Sequence, residues 1–411
     1  MKSKSARLSV GLSILILLTF GCSLFSSAPM EPAPVTQEAL PNLEPVQEQP
    51  NSPAVPSAAI LPTGIVAEKN GNLTLFDSDG YTIIQLQVAG LSYIEPNNLH
   101  IAGSVPQNGT NLPLVYYSFE QNNSILFSNY GQITTLRSAP YFSGMAGAEG
   151  SEFIAYTTAE FASDALIANL YIGSTQSLPT AEPILSESDP QGWALVALAV
   201  DMEGGQPAGV WYSKRPWGIG GDIVFDPRRT LSYLDLRSGI ASQYLGAEAN
   251  PSALSADRKW VAYTNDSSVG AGVGAMAIRN MVTGEYISYP LLNAVDQRGA
   301  GKASFSPNNQ YLAWMEANGW QMAETPNFHS VVRVGNLNGN VIAEFADTAL
   351  VGVSGLSIVQ RVEPVGWFDD DTLVIMARGE YWDDAALLLV DIPSQSMRLL
   401  AQGVFVGFTY P

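Results

Sequence analysis

Short apolar segments recur along the chain, and each of them follows a polar turn. In Phe305–Gly319 a polar turn beginning at Ser306 leads into an apolar stretch, Tyr311–Met315, and Leu254–Asp266 shows the same order 51 residues earlier. Weaker copies lie at Gly64–Gly71, Ile94–Gly103, Gly150–Thr157, Gly209–Ser213 and Trp367–Ala377. Apolar runs of about four to eight residues bounded by turn residues are typical of β-strands.

The spacing of these copies indicates a ring of small sheets. With Ala313 as the reference position, consecutive copies are about 35, 53, 56, 51, 51 and 62 residues apart. Periods of about 40–50 residues built from short strands are typical of β-propellers. Further strands joined by a tight turn, as in Val331–Phe345, bring each repeat to four antiparallel strands, or one blade. The sequence therefore predicts an all-β fold, a single β-propeller of about seven blades over residues 62–411, with six or eight blades as alternatives.

The C-terminal segment suggests how the ring closes. The first copy begins at Gly64 without room for an innermost strand, whereas the last copy is followed by a spare apolar segment, Val404–Pro411. Pairing this segment with the first blade would remove a free sheet edge. We therefore expect the last strand to complete the first blade.

Two of the copies resemble a known repeat. Phe305–Gly319 and Leu254–Asp266 are similar to the blade motif of the TolB-like, or WD40-like, β-propeller repeat family, in which the turn usually reads Ser-Pro-Asp-Gly. Asn308-Asn309 and Ala256-Asp257 replace the usual turn residues here. The resemblance implies propeller blades and leaves the activity open, because one fold hosts many functions.

The loops differ in length between the two faces of the predicted ring. Because strands alternate in direction, the first-to-second and third-to-fourth connections share one face, here called the turn face, and the second-to-third connections share the other, here called the loop face. The turn-face connections are short, whereas long loop-face connections are predicted at roughly 104–112, 158–168, 214–230, 265–274, 316–330 and 378–385. Long connections in compact domains are frequently functional.

The predicted long loops carry arginine and aromatic residues, which are enriched at recognition sites. We predict that they bind a protein, peptide or glycan ligand, and the alternative is that the aromatic rings fill the channel or pack between loops. The candidate binding residues are Arg215, Trp217, Phe225, Arg228, Trp320, Phe328, Tyr381 and Trp382.

The N-terminus predicts export and a lipid anchor. Three basic residues precede an apolar run, Leu8–Phe20, that is too short to cross about 30 Å of hydrocarbon, as expected of a signal peptide. Gly21 and Cys22 resemble the end of a bacterial lipoprotein signal, which implies attachment of diacylglycerol to the Cys22 thiol, cleavage before Cys22 and membrane attachment through the acyl chains. The alternative is ordinary secretion with an incidental cysteine. Residues 23–61 are rich in proline and poor in aromatic residues, which predicts an extended tether.

Composition excludes several classes of function. The chain has 411 residues, 19 Lys and Arg, 38 Asp and Glu, and a net charge of −19, so the phosphates of nucleic acid would be repelled. Removing residues 1–21 leaves 16 basic residues and a net charge of −22. One Cys and two His argue against a disulfide framework and a Cys- or His-rich metal site. Cofactors and metals are not predicted.

Catalytic motifs are absent from the sequence. No G-x-S-x-G elbow or H-E-x-x-H motif occurs, Arg298–Ser304 departs from a phosphate-binding loop, His100 is expected in a core strand, and Asp369–Asp371 is expected to form a turn. We therefore predict a binding module held at the cell envelope, without assigning catalytic residues. One alternative is an enzyme, acting for instance on envelope polysaccharide, with carboxylates in the central channel, for which Asp222, Asp226, Glu324, Asp383 and Asp384 are candidates. The other is a structural scaffold of an envelope complex.

Overall fold

The computed structural model describes residues 60–88, 98–103, 111–217, 224–225, 227–265, 274–292, 298–318, 328–381 and 384–411. These residues form seven four-stranded antiparallel sheets, each of which is one blade of a closed ring. The predicted all-β propeller of seven blades is therefore confirmed.

The first half of the ring consists of blades 1 to 4. Blade 1 contains β1 (Gly64–Lys69), β2 (Asn72–Phe76), β3 (Thr82–Gln87) and the last strand, β28 (Val404–Thr409). Blade 2 contains β4 (Leu99–Ile101), β5 (Leu114–Ser118), β6 (Ser124–Asn129) and β7 (Gln132–Ser138). Blade 3 contains β8 (Phe142–Gly147), β9 (Ile154–Ala162), β10 (Ala165–Gly173) and β11 (Leu185–Asp189), with a 3-10 helix at Leu178–Thr180. Blade 4 contains β12 (Trp193–Glu203), β13 (Gln206–Pro216), β14 (Arg229–Asp235) and β15 (Ala241–Leu245).

Blades 5 to 7 complete the ring. Blade 5 contains β16 (Asn250–Leu254), β17 (Trp260–Thr264), β18 (Met276–Asn280) and β19 (Tyr286–Ser288). Blade 6 contains β20 (Arg298–Phe305), β21 (Tyr311–Asn318), β22 (His329–Asn336) and β23 (Val341–Ala346). Helix α1 (Asp347–Ser354) follows, and blade 7 contains β24 (Arg361–Trp367), β25 (Thr372–Arg378), β26 (Ala385–Asp391) and β27 (Ser396–Gln402). None of the helices in the described ranges is long and apolar enough to cross a membrane.

The second strand of each blade is apolar because both of its faces are buried. Neighbouring side chains of a strand point to opposite sides of the sheet. Ile65 of β1 therefore packs toward blade 7 and Val66 toward blade 2. In the described residues, each junction between neighbouring blades has an apolar cluster of this kind, so every blade contributes to two cores.

The ring is closed by the pairing of β28 with β1. The register runs from Gly64 opposite Thr409 to Glu68 opposite Val404, with a bulge between Val66 and Ala67. The first strands of the blades pack against one another along the central channel, and β28 takes this position in blade 1. The expected role of the last strand is therefore confirmed.

The two best-matching copies share their hydrogen bonds as well as their sequence. The Ser255 hydroxyl accepts from the Trp260 amide at 2.8 Å, and the Ser306 hydroxyl accepts from the Tyr311 amide at 3.0 Å. In blade 7 the Asp369 carboxylate accepts from the Asp371 and Thr372 amides at 2.9 and 2.7 Å. The Asp369–Asp371 run is thus a turn, as predicted.

The position of the second strand of blade 2 differs from the sequence prediction. The prediction takes the copy at Ile94–Gly103 as this second strand, but the copy contains β4, which is the first strand of blade 2. The second strand is β5, which follows it in the sequence. The chain between β4 and β5 therefore joins a first to a second strand, whose adjoining ends lie at the turn face, and this contradicts the prediction of a loop-face connection at 104–112. The predicted long loop at 158–168 is also wrong, because Ser163 and Asp164 form a two-residue turn between β9 and β10.

We expect truncation after Gly403 to destabilise the whole ring. It removes the buried side chains of Val404, Phe405 and Val406, and burying one large apolar side chain is worth about 1.5–3 kcal/mol. The summed loss approaches the net stability of a typical domain, about 5–15 kcal/mol. Thermal unfolding of this variant, compared with one lacking only the exposed Pro411, checks the closure. Equal melting temperatures would contradict it.

Candidate binding face

At the loop face, the second-to-third connections differ in length between the two sides of the ring. Connections between second and third strands are long in blades 4 to 7, where they span 217–228, 265–275, 319–328 and 379–384. In blades 1 to 3 they span only 70–71, 119–123 and 163–164. Connections between successive blades open on the same face, including the one that contains α1. We call the half over blades 4 to 7, where the second-to-third connections are long, the raised half, and the half over blades 1 to 3 the low half.

The connection of blade 4 extends across the raised half. At its start, Trp217 packs against Ala159 and Leu166 of blade 3 and Ala194 of blade 4, and its amide donates to the Gly192 carbonyl at 2.9 Å. Further along the same connection, Val224 and Phe225 pack with residues of blade 6. One connection therefore contacts the edges of blades 3 and 6 as well as its own blade.

Phe225 is seated against the backbone of the inner strand of blade 6. A Cβ atom at Gly301 would come within 2.5 Å of the Phe225 ring, so this approach requires a glycine. Phe225 and Phe328 are 8% and 6% exposed and share one buried cluster with Met315 and Ala317. The structure thus brings together two of the predicted binding residues, Phe225 and Phe328. Their packing holds the connection of blade 4 against that of blade 6.

The remaining candidate residues are placed as follows. Arg215, at the end of β13, and Arg228, just before β14, are half-buried and both have interaction partners. Tyr381 is 67% exposed in the connection between β25 and β26. Trp320 and Trp382 lie outside the described residues. Arg229, which is not among the candidate binding residues, stacks its guanidinium over the Trp193 ring at 4.8 Å from the centroid.

Below the raised half, blade 6 contains a buried network of charges. The Glu316 side chain is 1% exposed, and its carboxylate pairs with Arg298 and, at 2.8 Å, with Arg333. It also accepts from the Leu292 amide at 2.7 Å, in the connection that leads from blade 5 to blade 6. Arg333 in turn pairs with Glu344 at 2.9 Å. A single carboxylate therefore fixes two strands and one loop-face connection.

A second network joins blades 6 and 7 at their inner strands. Burial raises the pKa of Glu363, but Lys302, Arg361 and Arg378 more than compensate and hold that pKa below its ordinary value. The Lys302 amine pairs with one oxygen of Glu363, and Arg378 pairs with the other at 3.1 Å. Burial lowers the pKa of Lys302 despite this pairing. Basic residues in this acidic protein are thus concentrated beneath the raised half.

The carboxylates of the enzyme alternative are only partly described. Asp384 lies directly before β26, where its amide donates to the Tyr381 carbonyl at 3.0 Å. Asp222, Asp226, Glu324 and Asp383 lie outside the described residues. Within the described part of the chain, the carboxyl group whose pKa is raised is that of Glu149, at the turn face. Its hydrogen-bond partner is Tyr410 rather than a second carboxylate.

Replacing Glu316 by Gln should strongly destabilise the fold. The substitution leaves Arg298 and Arg333, whose side chains are 6% and 5% exposed, without a buried counter-charge. Breaking a buried ion pair by removing one partner costs about 3–5 kcal/mol. The matched control is Lys259→Met, which removes an ion pair with Asp257 from a lysine that is 51% exposed and should cost less than about 1 kcal/mol. Urea unfolding of both variants measures the difference, and similar costs would contradict the assigned role of Glu316.

No family model matches the chain, and no curated protein matches it. Solved structures with a similar fold include TolB from Acinetobacter baumannii, at 15% identity and a TM-score of 0.41 over 71% of this chain and 65% of that one. A prolyl endopeptidase matches at 9% identity and a TM-score of 0.48 over 83% of this chain and 50% of that one. An oligogalacturonate lyase from Vibrio parahaemolyticus matches at 12% identity and a TM-score of 0.42 over 83% of this chain and 86% of that one.

These similarities concern the fold. The chain spans less than two thirds of the TolB and prolyl endopeptidase structures that it matches. The similar structures include two enzymes, the prolyl endopeptidase and the oligogalacturonate lyase, together with TolB, whose name states no enzymatic activity. The expected resemblance to TolB-like propellers is confirmed as a resemblance of architecture: a β-propeller, here with seven blades.

Proposed function

We propose that this protein is a lipid-anchored, extracytoplasmic binding module that holds a protein, peptide or glycan ligand on the raised half of its loop face. The observation that carries the proposal is the connection of blade 4, which is fastened at Trp217 to blade 3 and at Phe225 to blade 6. Because Trp217 and Phe225 are already packed before a ligand arrives, these two residues lose less conformational entropy on binding.

The positions of two arginines also support a recognition role. Arg215 and Arg228 flank the blade 4 connection, in a protein of net charge −19 that has few basic groups. Arginine forms forked hydrogen bonds with carboxylates and other planar acceptors, which favours specific recognition.

The low half does not offer the same features. Its second-to-third connections are short, and the exposed Phe119 and Phe161, at 72% and 66%, lie in or beside turns of blades 2 and 3. Single exposed apolar side chains are ordinary on protein surfaces. We therefore place the ligand over blades 4 to 7 in this proposal.

Site-specific photo-crosslinking tests the location of the ligand. A photoreactive amino acid in place of Tyr381, on the loop face, should give a cross-linked product in the native cell envelope. The matched control is Tyr81, which is 72% exposed in a turn-face connection of blade 1. Because both side chains are exposed, neither replacement should disturb folding. Mass spectrometry then identifies the chemical class of the product. Cross-linking from position 81 but not from position 381 would contradict the proposal.

Membrane attachment is tested through Cys22, which lies outside the described residues. The proposed anchor is a diacylglyceryl group joined to the Cys22 sulfur through a thioether, so Cys22→Ser should abolish incorporation of labelled palmitate and move the protein from the membrane to the soluble fraction. A body with a net charge of −22 is repelled by anionic lipid, so charge would not hold it to the membrane. Serine at nearby position 23 or 26 is a suitable site for a control substitution by alanine. Unchanged membrane association of the Cys22 variant would contradict the anchor.

A further inference from the structure

The lysine and arginine residues of the channel wall come from two neighbouring blades. In the part of the chain that the structure describes, the seven inner strands contain three such residues, Arg298, Lys302 and Arg361. All three lie in blades 6 and 7, although the whole protein has a net charge of −19. The channel wall is therefore chemically different on this side.

A bulge in β20 takes the Lys302 side chain out of the regular strand alternation. The register of β20 with β21 shifts between Gly301 and Ser304, and Lys302 has a left-handed backbone, with a φ of 49°. Such a backbone is uncommon for a residue other than glycine, and bulges re-aim side chains next to functional sites. The corresponding shifts in β8, β12, β16 and β24 fall at the uncharged residues Ser143, Leu198, Ser252 and Val365. Among these five bulges, that of β20 is the one that carries a charged side chain.

Lys302 is the most accessible member of the Glu363 network. Its side chain is 33% exposed, whereas that of Glu363 is 4% exposed. The two arginines of the network, Arg361 and Arg378, are 11% and 8% exposed. Because β20 is the inner strand of blade 6, the accessible part of Lys302 opens toward the channel. A ligand in the channel can therefore contact this side chain without displacing the buried members of the network.

The Lys302 ammonium has hydrogen-bonding capacity left for a ligand. An ammonium group has three donors, and that of Lys302 donates to one oxygen of Glu363. The other oxygen of Glu363 accepts from Arg378 at 3.1 Å. In the ranges that the structure describes, Glu363 is the sole acceptor of the Lys302 ammonium. Two of its donors can therefore serve a second acceptor.

Glu363 does not fully compensate for the burial of the lysine charge. Burial lowers the pKa of Lys302, and the attraction of Glu363 opposes this shift. The positive charges of Arg361 and Arg378 lower that pKa further, so it stays below its ordinary value. The charged form of Lys302 is thus less favourable here than in water, and a second anion beside it would be stabilising. A monoanion suits this position better than a dianion, because the carboxylate of Glu363 beside the same ammonium repels added negative charge.

We propose that Lys302 is the anchor of a carboxylate-binding site in the central channel, where its ammonium donates hydrogen bonds to a ligand carboxylate while it stays paired with Glu363. The ligand is a monocarboxylate, or a larger molecule that presents one carboxylate to the channel. Hydrogen bonds between charged groups are about twice as strong as those between neutral groups, so the carboxylate dominates the binding. The site depends neither on the loop-face ligand nor on the acyl anchor, so its absence would leave both of those proposals standing.

Side-chain NMR of full-length protein labelled with [15N]lysine tests the proposal, with sodium butyrate as the probe. The chain contains six lysines, and the Lys302 signal is the one that is missing from the Lys302→Arg variant, which keeps the charge. In wild-type protein this ammonium signal should shift saturably as butyrate is added at constant ionic strength. The control is Lys259, which is 51% exposed at the turn face and pairs with Asp257 at 3.1 Å, and its signal should show no saturable shift. The neutral analogue butyramide should leave the Lys302 signal unchanged.

Butyrate affinities of two variants, measured by ligand-observed NMR, check the location of the site. Lys302→Met should weaken butyrate binding at least tenfold, because it removes the charge from a side chain of similar length while Glu363 keeps its pairing with Arg378. Lys259→Met, which removes an equal charge at the turn face, should bind butyrate within twofold of wild type.

Four results would each overturn the proposal. The first three are obtained with wild-type protein: no saturable shift of the Lys302 signal with butyrate, an equal shift with butyramide, or equal or tighter binding of inorganic phosphate at the same signal. The fourth is an unchanged butyrate affinity in folded Lys302→Met protein. Because three of these measurements need no methionine variant, the proposal can fail even if that variant does not fold.

Discussion

The backbone hydrogen bonds between β28 and β1 close the ring, and the rest of the structure depends on them. They bring together parts of the chain that are far apart in sequence: the Thr63 amide donates to the Thr409 carbonyl at 2.7 Å, across 346 residues. Without β28, β1 would present an unpaired edge to the channel, and the cores on both sides of blade 1 would lose Phe405 and Val406. Closing so long a loop has an entropic cost, but this cost grows only slowly with loop length.

Closure also explains why the ring can carry elaborate loops on one face. Each blade is held by two apolar junctions, so strand ends at the loop face are fixed independently of the connections that they support. The buried carboxylates of Glu316 and Glu363 then position several basic groups near those strand ends. Buried charges of this kind fix geometry more than they add stability, because desolvation opposes most of the favourable Coulomb energy.

The two ends of the channel differ in chemistry for a structural reason. At the turn face, the first strands of blades 1 to 3 contribute apolar and aromatic side chains together with Glu149. At the inner strands of blades 6 and 7, Lys302, Arg361 and Arg378 surround Glu363. The two regions therefore differ in chemistry because different blades supply their side chains.

The amino-acid sequence by itself determined the repeated strand pattern, a ring of about seven blades and the closing strand, because alternation of buried positions and turn chemistry are local properties of the chain, whereas the tertiary structure fixed the number at seven. It misassigned blade 2 because β4 is three residues long and as apolar as a second strand, so a local pattern could not distinguish the two. Only the tertiary structure decided that Phe225 meets Gly301 and Phe328, that Glu316 joins Arg298 to Arg333, and that Glu149 meets Tyr410. These contacts join residues of different strands, and often of different blades, that are distant in sequence. Their proximity therefore follows from how the blades pack around the channel, and no local spacing in the sequence encodes it.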